Sequence, residues 1–243
     1  MLSSRFAGGF TSAVAAVLFD MDGTLVDSDA VVDRSWVAWA REYGVDPELP
    51  LAIAPGHPAA DTVARIFAGR EPEEIAAAAA RELALEYEDL EGVVATDGAH
   101  DLLRVLDEHG VPWAVVTSAD LRLAKLRLGA AGITVPVLVT TDDIARGKPD
   151  PEGYLLAAER LGVECMRCLV VEDAEPGVAA GRAAGATVAA LKGVPGDIQI
   201  GNLREIVELI GVQDVRDVRN VRNMKNVRDM HQARGAEIAE PLA

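Results

Sequence analysis

Two aspartates separated by one residue, Asp20 and Asp22, stand where an apolar run stops: Val14-Ala15-Ala16-Val17-Leu18-Phe19 precedes them and Gly23-Thr24 follows. On extended backbone, side chains two positions apart point the same way. Two carboxylates that close repel unless a cation neutralises them or one keeps its proton. Hard oxygen donors in this arrangement suit Mg²⁺. A calcium loop can also begin this way, but it needs a glutamate at its twelfth position, which here is Val31. Three more polar groups interrupt apolar runs downstream. Ser118 follows Trp113-Ala114-Val115-Val116, Lys148 stands in Gly147-Lys148-Pro149-Asp150-Pro151, and Glu172-Asp173 follows Leu169-Val170-Val171. Singly these are a helix cap, a solvated lysine and a charged turn. Together they place acids and a hydroxyl at the ends of apolar strands and one ammonium group in the loop after another, the parts that metal-assisted chemistry on an anionic substrate needs.

The elements that must position them follow from periodicity. Val14–Phe19 is too short for a core helix and suits a central parallel strand buried on both faces. Further strands are predicted at 113–116, 135–139, 169–171 and 187–191. Helices are predicted at 98–109, 121–131, 152–161, 177–184 and 203–210. Strands alternating with helices imply right-handed crossovers and an α/β fold, a three-layer Rossmann-like parallel sheet. In such sheets ligands bind beyond the carboxyl ends of the strands, where the polar groups above fall.

Between the first strand and the rest, the pattern is helical only. Val31, Val32, Ser35, Trp36, Trp39 and Ala40 recur at three and four, and Gly44 can close that helix. Pro47 and Pro50 read as breaks. A loop, Ala54-Pro55-Gly56-His57-Pro58, leads into a second helix at 59–68, and a third runs from Pro72 to about Leu90. The expected organisation is a core domain of residues 1–26 and 96–211, an inserted helical cap domain of residues 27–95, and a low-complexity tail of residues 212–243. In that tail Val212, Val215, Val218, Val221, Met224, Val227 and Met230 recur every third residue. Such a period circles a helix of 3.6 residues per turn and leaves no fixed apolar stripe, so the tail is expected to be disordered or weakly helical.

The strings Leu18-Phe19-Asp20-Met21-Asp22-Gly23-Thr24-Leu25-Val26-Asp27-Ser28, Val116-Thr117-Ser118-Ala119, Gly147-Lys148-Pro149-Asp150-Pro151 and Val170-Val171-Glu172-Asp173 resemble, in this order, the four motifs of the haloacid dehalogenase-like (HAD) phosphohydrolases. The resemblance covers roughly residues 14 to 210. It implies that Asp20 is a nucleophile forming an aspartyl-phosphate, and that Asp22 is the general acid and later the base. It implies that Lys148, Ser118 and the backbone N–H of Ala119 hold phosphate oxygens, with Thr24 bracing the loop at the phosphate. A Mg²⁺ would be held by Asp20, the backbone carbonyl of Asp22, Asp173 and Glu172. Dehalogenases of this superfamily lack the second aspartate, which is present here. Phosphonatases use a lysine of the insert, and the four lysines of this chain, Lys125, Lys148, Lys192 and Lys225, all lie outside it. β-Phosphoglucomutases carry a basic grip after the loop glycine, where this chain has His57, Pro58, Ala59 and Ala60.

The insert resembles the cap of sugar-phosphate and glycerol-phosphate phosphatases. It keeps Gly56, Pro58 and Thr62 but has His57 where arginine is common, so Gly56 and His57 are the candidate substrate contacts. The expected activity is hydrolysis of a small sugar or polyol phosphate. A phosphotransferase of the mutase type and a non-catalytic binding protein are the alternatives.

A formal charge of −16 excludes nucleic acid and anionic membrane as expected partners, while a metal and one lysine can still set a local field for a small phosphorylated metabolite. No run of 18 apolar residues exists, and cleavage of the mildly apolar N-terminus would remove the first strand, so a cytoplasmic location is expected. Cys165 and Cys168 have the spacing of a dithiol, but without a second pair for zinc. Nothing in the repeat specifies an oligomer.

Overall fold

Val17 and Phe19 pack to one side of the central strand, Ala16 and Leu18 to the other, and all four are fully buried. That two-sided burial is what an uninterrupted apolar run dictates in a parallel sheet. In the computed structural model, which describes residues 14–210, the elements run β1 (Ala16–Phe19), β2 (Val26–Asp27), α1 (Asp29–Tyr43), α2 (Glu48–Ile53), α3 (Ala59–Ile66), α4 (Pro72–Glu88), β3 (Val94–Ala95), α5 (Ala99–Glu108), β4 (Trp113–Val116), α6 (Leu121–Ala130), β5 (Leu138–Val139), α7 (Glu152–Leu161), β6 (Cys168–Glu172), α8 (Glu175–Ala183), β7 (Thr187–Ala190), β8 (Ile198–Gln199) and α9 (Glu205–Leu209). Six strands form one sheet in the order β5-β4-β1-β6-β7-β8, every neighbouring pair parallel. The α/β class and the three layers are those expected.

The two faces are separate apolar clusters. Val17, Phe19, Trp113, Val115, Leu169 and Val171 meet Leu102, Leu106, Leu123 and Ile206 from α5, α6 and α9. Ala16, Leu18, Ala114, Val116 and Val170 meet Tyr154, Ala157 and Val178 from α7 and α8. The helices α1–α4 enclose a third cluster of their own, built on Trp36, Trp39, Val63, Phe67 and Ala78. Trp39 stacks at 4.9 Å on Tyr43 and 5.4 Å on Phe67, and its indole N–H donates to the Ala78 carbonyl at 2.8 Å.

Several elements differ from expectation, each for a physical reason. Pro47 and Pro50 do not break the chain but open α2, where Pro50 falls in the first turn and the missing N–H has no helical partner anyway. The strand expected over 135–139 is reduced to Leu138–Val139, because Pro136 cannot donate to a ladder. A two-stranded antiparallel ribbon, β2 with β3, joins the helical segment to the sheet. Both of its strands, like β8 at the sheet edge, are too short to leave a periodic signal. The residues of the predicted low-complexity tail lie outside the described residues.

Candidate active site

The carboxyl ends of β1, β4 and β6 converge. Asp20 follows β1 and its backbone N–H donates to Val171 at 3.0 Å, so the start of the Asp20–Thr24 turn is tied to the neighbouring strand β6. Thr117 and Ser118 follow β4, and Glu172 ends β6 with Asp173 next in line. Lys148, from the loop between β5 and α7, reaches across to this edge. Its ammonium is ion-paired with Asp20 Oδ1 and lies 2.7 Å from Glu172 Oε1. Glu172 also accepts from the Tyr154 hydroxyl at 2.5 Å. One carboxylate oxygen from each of Asp20, Glu172 and Asp173 lies within 4.8 Å of the others.

Charge balance in this cluster is unequal. Burial pushes the Asp20 carboxyl up to about 7, with the charges of Glu172 and Asp22 adding to the effect and Lys148 opposing it. Asp173 is pushed up to about 6 by burial and by Asp20, against the pull of Lys192. Burial works against the charge of Lys148, yet Asp20 and Glu172 together outweigh it and hold the ammonium above its ordinary range. Three carboxylates therefore share one fully buried ammonium and one half-exposed one, Lys192. A donor set of crowded, undercompensated oxygens matches the chemistry of a hard divalent cation. Glu172 is already engaged by Lys148 and Tyr154, which leaves Asp20 and Asp173 as its freer oxygen donors. Lys192, a non-glycine residue at φ +50, pairs with Asp173 at 3.1 Å and with Asp29 at 2.7 Å.

Asp22 lies apart from the metal-type cluster. Its Oδ1 accepts from Ser28 Oγ at 2.6 Å and its Oδ2 lies 3.0 Å from Arg127 Nη1. Gly23, at φ +78, lets the chain turn immediately after Asp22. A Cβ there would stand 2.0 Å from Asp173 Oδ2, so only glycine lets that backbone approach. Thr24 is fully buried, its hydroxyl has no hydrogen-bond partner, and its carbonyl accepts from Thr96 Oγ1 at 2.6 Å. The N–H of Ala119 donates to Thr117 Oγ1 at 3.0 Å.

The loop before α3 reaches this edge. Ser118 Oγ donates to the Gly56 carbonyl at 3.1 Å, and Gly56, at φ +76, would place a Cβ 2.8 Å from that of Ala174. His57 is half-buried beside it, with Nδ1 3.1 Å from the Pro55 carbonyl oxygen. Thr62 is fully buried with its hydroxyl unpartnered.

Asp20, Lys148, Glu172 and Asp173 thus meet directly, and Ser118, Gly56 and His57 lie at the same edge. Sequence reasoning missed Ser28, Tyr154, Arg127 and Lys192. Ser28 lies inside the string quoted for the first motif, so its spacing from Asp22 was a usable signal. The others sit on helices or in turns, where a polar residue reads as solvated.

The family profile of the haloacid dehalogenase-like hydrolases matches residues 14–185. The chain is 45% identical over 175 residues to hexitol phosphatase A of Escherichia coli (strain K12), covering 72% of this chain and 81% of that protein. It is 39% identical over 174 residues to validoxylamine A 7'-phosphate phosphatase of Streptomyces hygroscopicus subsp. limoneus, covering 69% and 81%. A hydrolase from Pseudomonas syringae superposes with a TM-score of 0.67 at 26% identity, over 73% of this chain and 83% of that one. The chain belongs to the haloacid dehalogenase-like hydrolase family, and it is an enzyme. Among the described residues no helix is long and apolar enough to cross a membrane.

Proposed function

We propose that the protein is a Mg²⁺-dependent phosphomonoesterase that hydrolyses a small sugar or polyol phosphate through an aspartyl-phosphate on Asp20. One observation carries this: a buried ammonium joins Asp20 to Glu172 at the strand ends, with Asp173 alongside. The names of the hexitol and validoxylamine phosphate phosphatases support the substrate class.

Phosphoryl transfer asks for in-line positioning and for neutralisation of charge on the equatorial oxygens. Asp20 is the nucleophile, and its Oδ1 is fixed by Lys148. The same ammonium neutralises phosphate oxygens as the leaving oxygen departs. Ser118 exchanges its hydrogen bond to Gly56 for one to the phosphate, joined by the N–H of Ala119, while Thr24 braces the loop behind them. Asp22 gives a proton to the departing alkoxide, then takes one from the water that attacks phosphorus, and Asp20 is released as a carboxylate. Asp20, Asp173, the backbone carbonyl of Asp22 and Glu172 would hold a Mg²⁺, which would supply the remaining positive charge. The cap, residues 27–95, closes its 55–58 loop over the phosphate and excludes water during the first transfer. Gly56 and His57 contact the sugar or polyol.

The expected outcome of chelation tests the metal. Exhaustive treatment with EDTA abolishes phosphate release, and added Mg²⁺ restores it in a saturable way. A screen of hexitol phosphates, hexose phosphates, phosphoglycolate and a nucleotide ranks the hexitol and hexose esters first by kcat/KM. Full activity in EDTA, or a preference for the nucleotide, would remove the corresponding part of the assignment.

A further inference from the structure

Arg127 sits on α6, in the interior, with a side chain only 4% exposed. Its Nη1 lies 3.0 Å from Asp22 Oδ2 and its Nη2 donates to Glu86 Oε1 at 3.1 Å. The other oxygen of Asp22 is taken by Ser28. Both oxygens of the acid are therefore held from outside the catalytic turn. Glu86 belongs to the last turns of α4, the longest helix of the inserted segment. The guanidinium is a bridge: one end on the residue that must present or accept a proton, the other on a helix that belongs to the cap.

We propose that Arg127 is a positioning residue that orients Asp22 according to where α4 sits. With α4 docked, Glu86 fixes the guanidinium and the guanidinium aims the Asp22 carboxylate. This rests on the phosphatase assignment above.

The geometry suits arginine and no other residue. A planar fork with several fixed donors can hold two carboxylates in set directions, whereas an ammonium is a point charge. Charge accounting in the interior points the same way. Burial pushes the Glu86 carboxyl up and Arg127 opposes it. One turn earlier, Glu82 is fully buried with neither oxygen hydrogen-bonded, and burial pushes it up to about 8. Kept neutral, Glu82 does not compete for the guanidinium, which is left to Asp22 and Glu86. Arg127 Nε has no partner, so its polar commitments are these two carboxylates.

A salt bridge that merely glued α4 to α6 would affect every substrate alike, and the leaving group separates the two cases. Nitrophenolate departs without a proton, whereas a sugar alkoxide needs one from Asp22. The parameter kcat/KM reports only the steps up to departure of the alcohol, so the later attack of water does not enter it. Arg127→Gln is expected to lower kcat/KM for a hexitol phosphate about 100-fold, the cost of a misplaced catalytic group, and for nitrophenyl phosphate by less than about 10-fold. Arg127→Lys recovers part of the loss, and Glu86→Gln, which keeps the shape of α4, shifts the ratio of the two esters in the same direction. The double variant Arg127→Gln/Glu86→Gln is no worse than Arg127→Gln alone, as expected of two residues acting as one unit. If Arg127→Gln does not fold, the ratio in Glu86→Gln and Arg127→Lys carries the test. Equal losses on both esters, or independent effects of Arg127 and Glu86, would overturn the positioning role while leaving the phosphatase assignment intact. No turnover of either ester by the unsubstituted enzyme would remove that assignment, and this proposal with it.

Discussion

On the proposed function, Lys148→Met is expected to lower kcat for a hexitol phosphate by about 10³-fold, the cost of deleting one preorganised charge from a phosphoryl-transfer site. The side chain is 5% exposed and pairs with two carboxylates that are themselves 10% and 1% exposed. Methionine fills nearly the same space, so packing against Tyr154, whose ring centroid lies 5.4 Å from the ammonium, is retained. What is lost is charge. Asp20 and Glu172 then face each other without their shared cation, and uncoupling a buried pair in this way costs roughly 3–5 kcal/mol. The variant is thus expected to unfold at lower temperature and to be rescued thermally by Mg²⁺ more than the parent is, because a bound metal would then replace the positive charge that Asp20 has lost. Steady-state phosphate release and thermal unfolding with and without Mg²⁺ check both halves. Retention of more than about a tenth of kcat would contradict the role of Lys148, since a single lost charge in such a site costs far more.

Glu82→Gln has its large effect on stability, and the effect depends on pH. The carboxyl lies inside the insert on α4, near Ser35, whose hydroxyl donates instead to the Val32 carbonyl. Burial, reinforced by the charge of Glu86, raises Glu82 from an ordinary 4.5 to about 8. A raised carboxyl binds a proton in the folded state that the unfolded chain has already released. Between pH 4.5 and 8 stability therefore falls as pH rises, it is unaffected by this group below the window, and the whole cost is present above it. At 1.36 kcal/mol per unit the upper bound is roughly 5 kcal/mol, and water penetration will reduce it. Glutamine keeps the shape and cannot ionise. The variant is expected to match the parent at pH 5 and to exceed it at pH 8.5. Even ~2 kcal/mol would raise Tm by about 4–8 °C in a protein of this size. Parallel Tm-against-pH curves for the two proteins would show that Glu82 is not buried as a neutral acid.

The contrast between these residues explains what the sequence could convey. The strand ends were legible because an apolar run that stops at a polar residue is a local pattern, and three such stops carry Asp20, Ser118 and Glu172-Asp173. Lys148 was legible only as part of a glycine-lysine-proline string, since its partners stand far away along the chain. Arg127, Glu82 and Glu86 were invisible. Each occupies a helix whose other polar residues face solvent, and what makes them different is burial against residues some forty or more positions distant. Periodicity reports a face, not the charge that another element brings to it. The same limit hid α2, where Pro50 reads as a break until its place in a first turn is known. It also hid the β2–β3 ribbon, whose register is set by the two ends of the helical insert meeting.

The central claim, covalent transfer to Asp20, is most directly tested by acid-quenching the enzyme within its first turnover of a hexitol phosphate in the presence of Mg²⁺, then mapping the peptides by mass. The expected result is one added phosphoryl group on the peptide that contains Asp20, lost on brief treatment at alkaline pH and absent from Asp20→Asn. A phosphoryl group found on another residue, or continued phosphate release by Asp20→Asn, would contradict it.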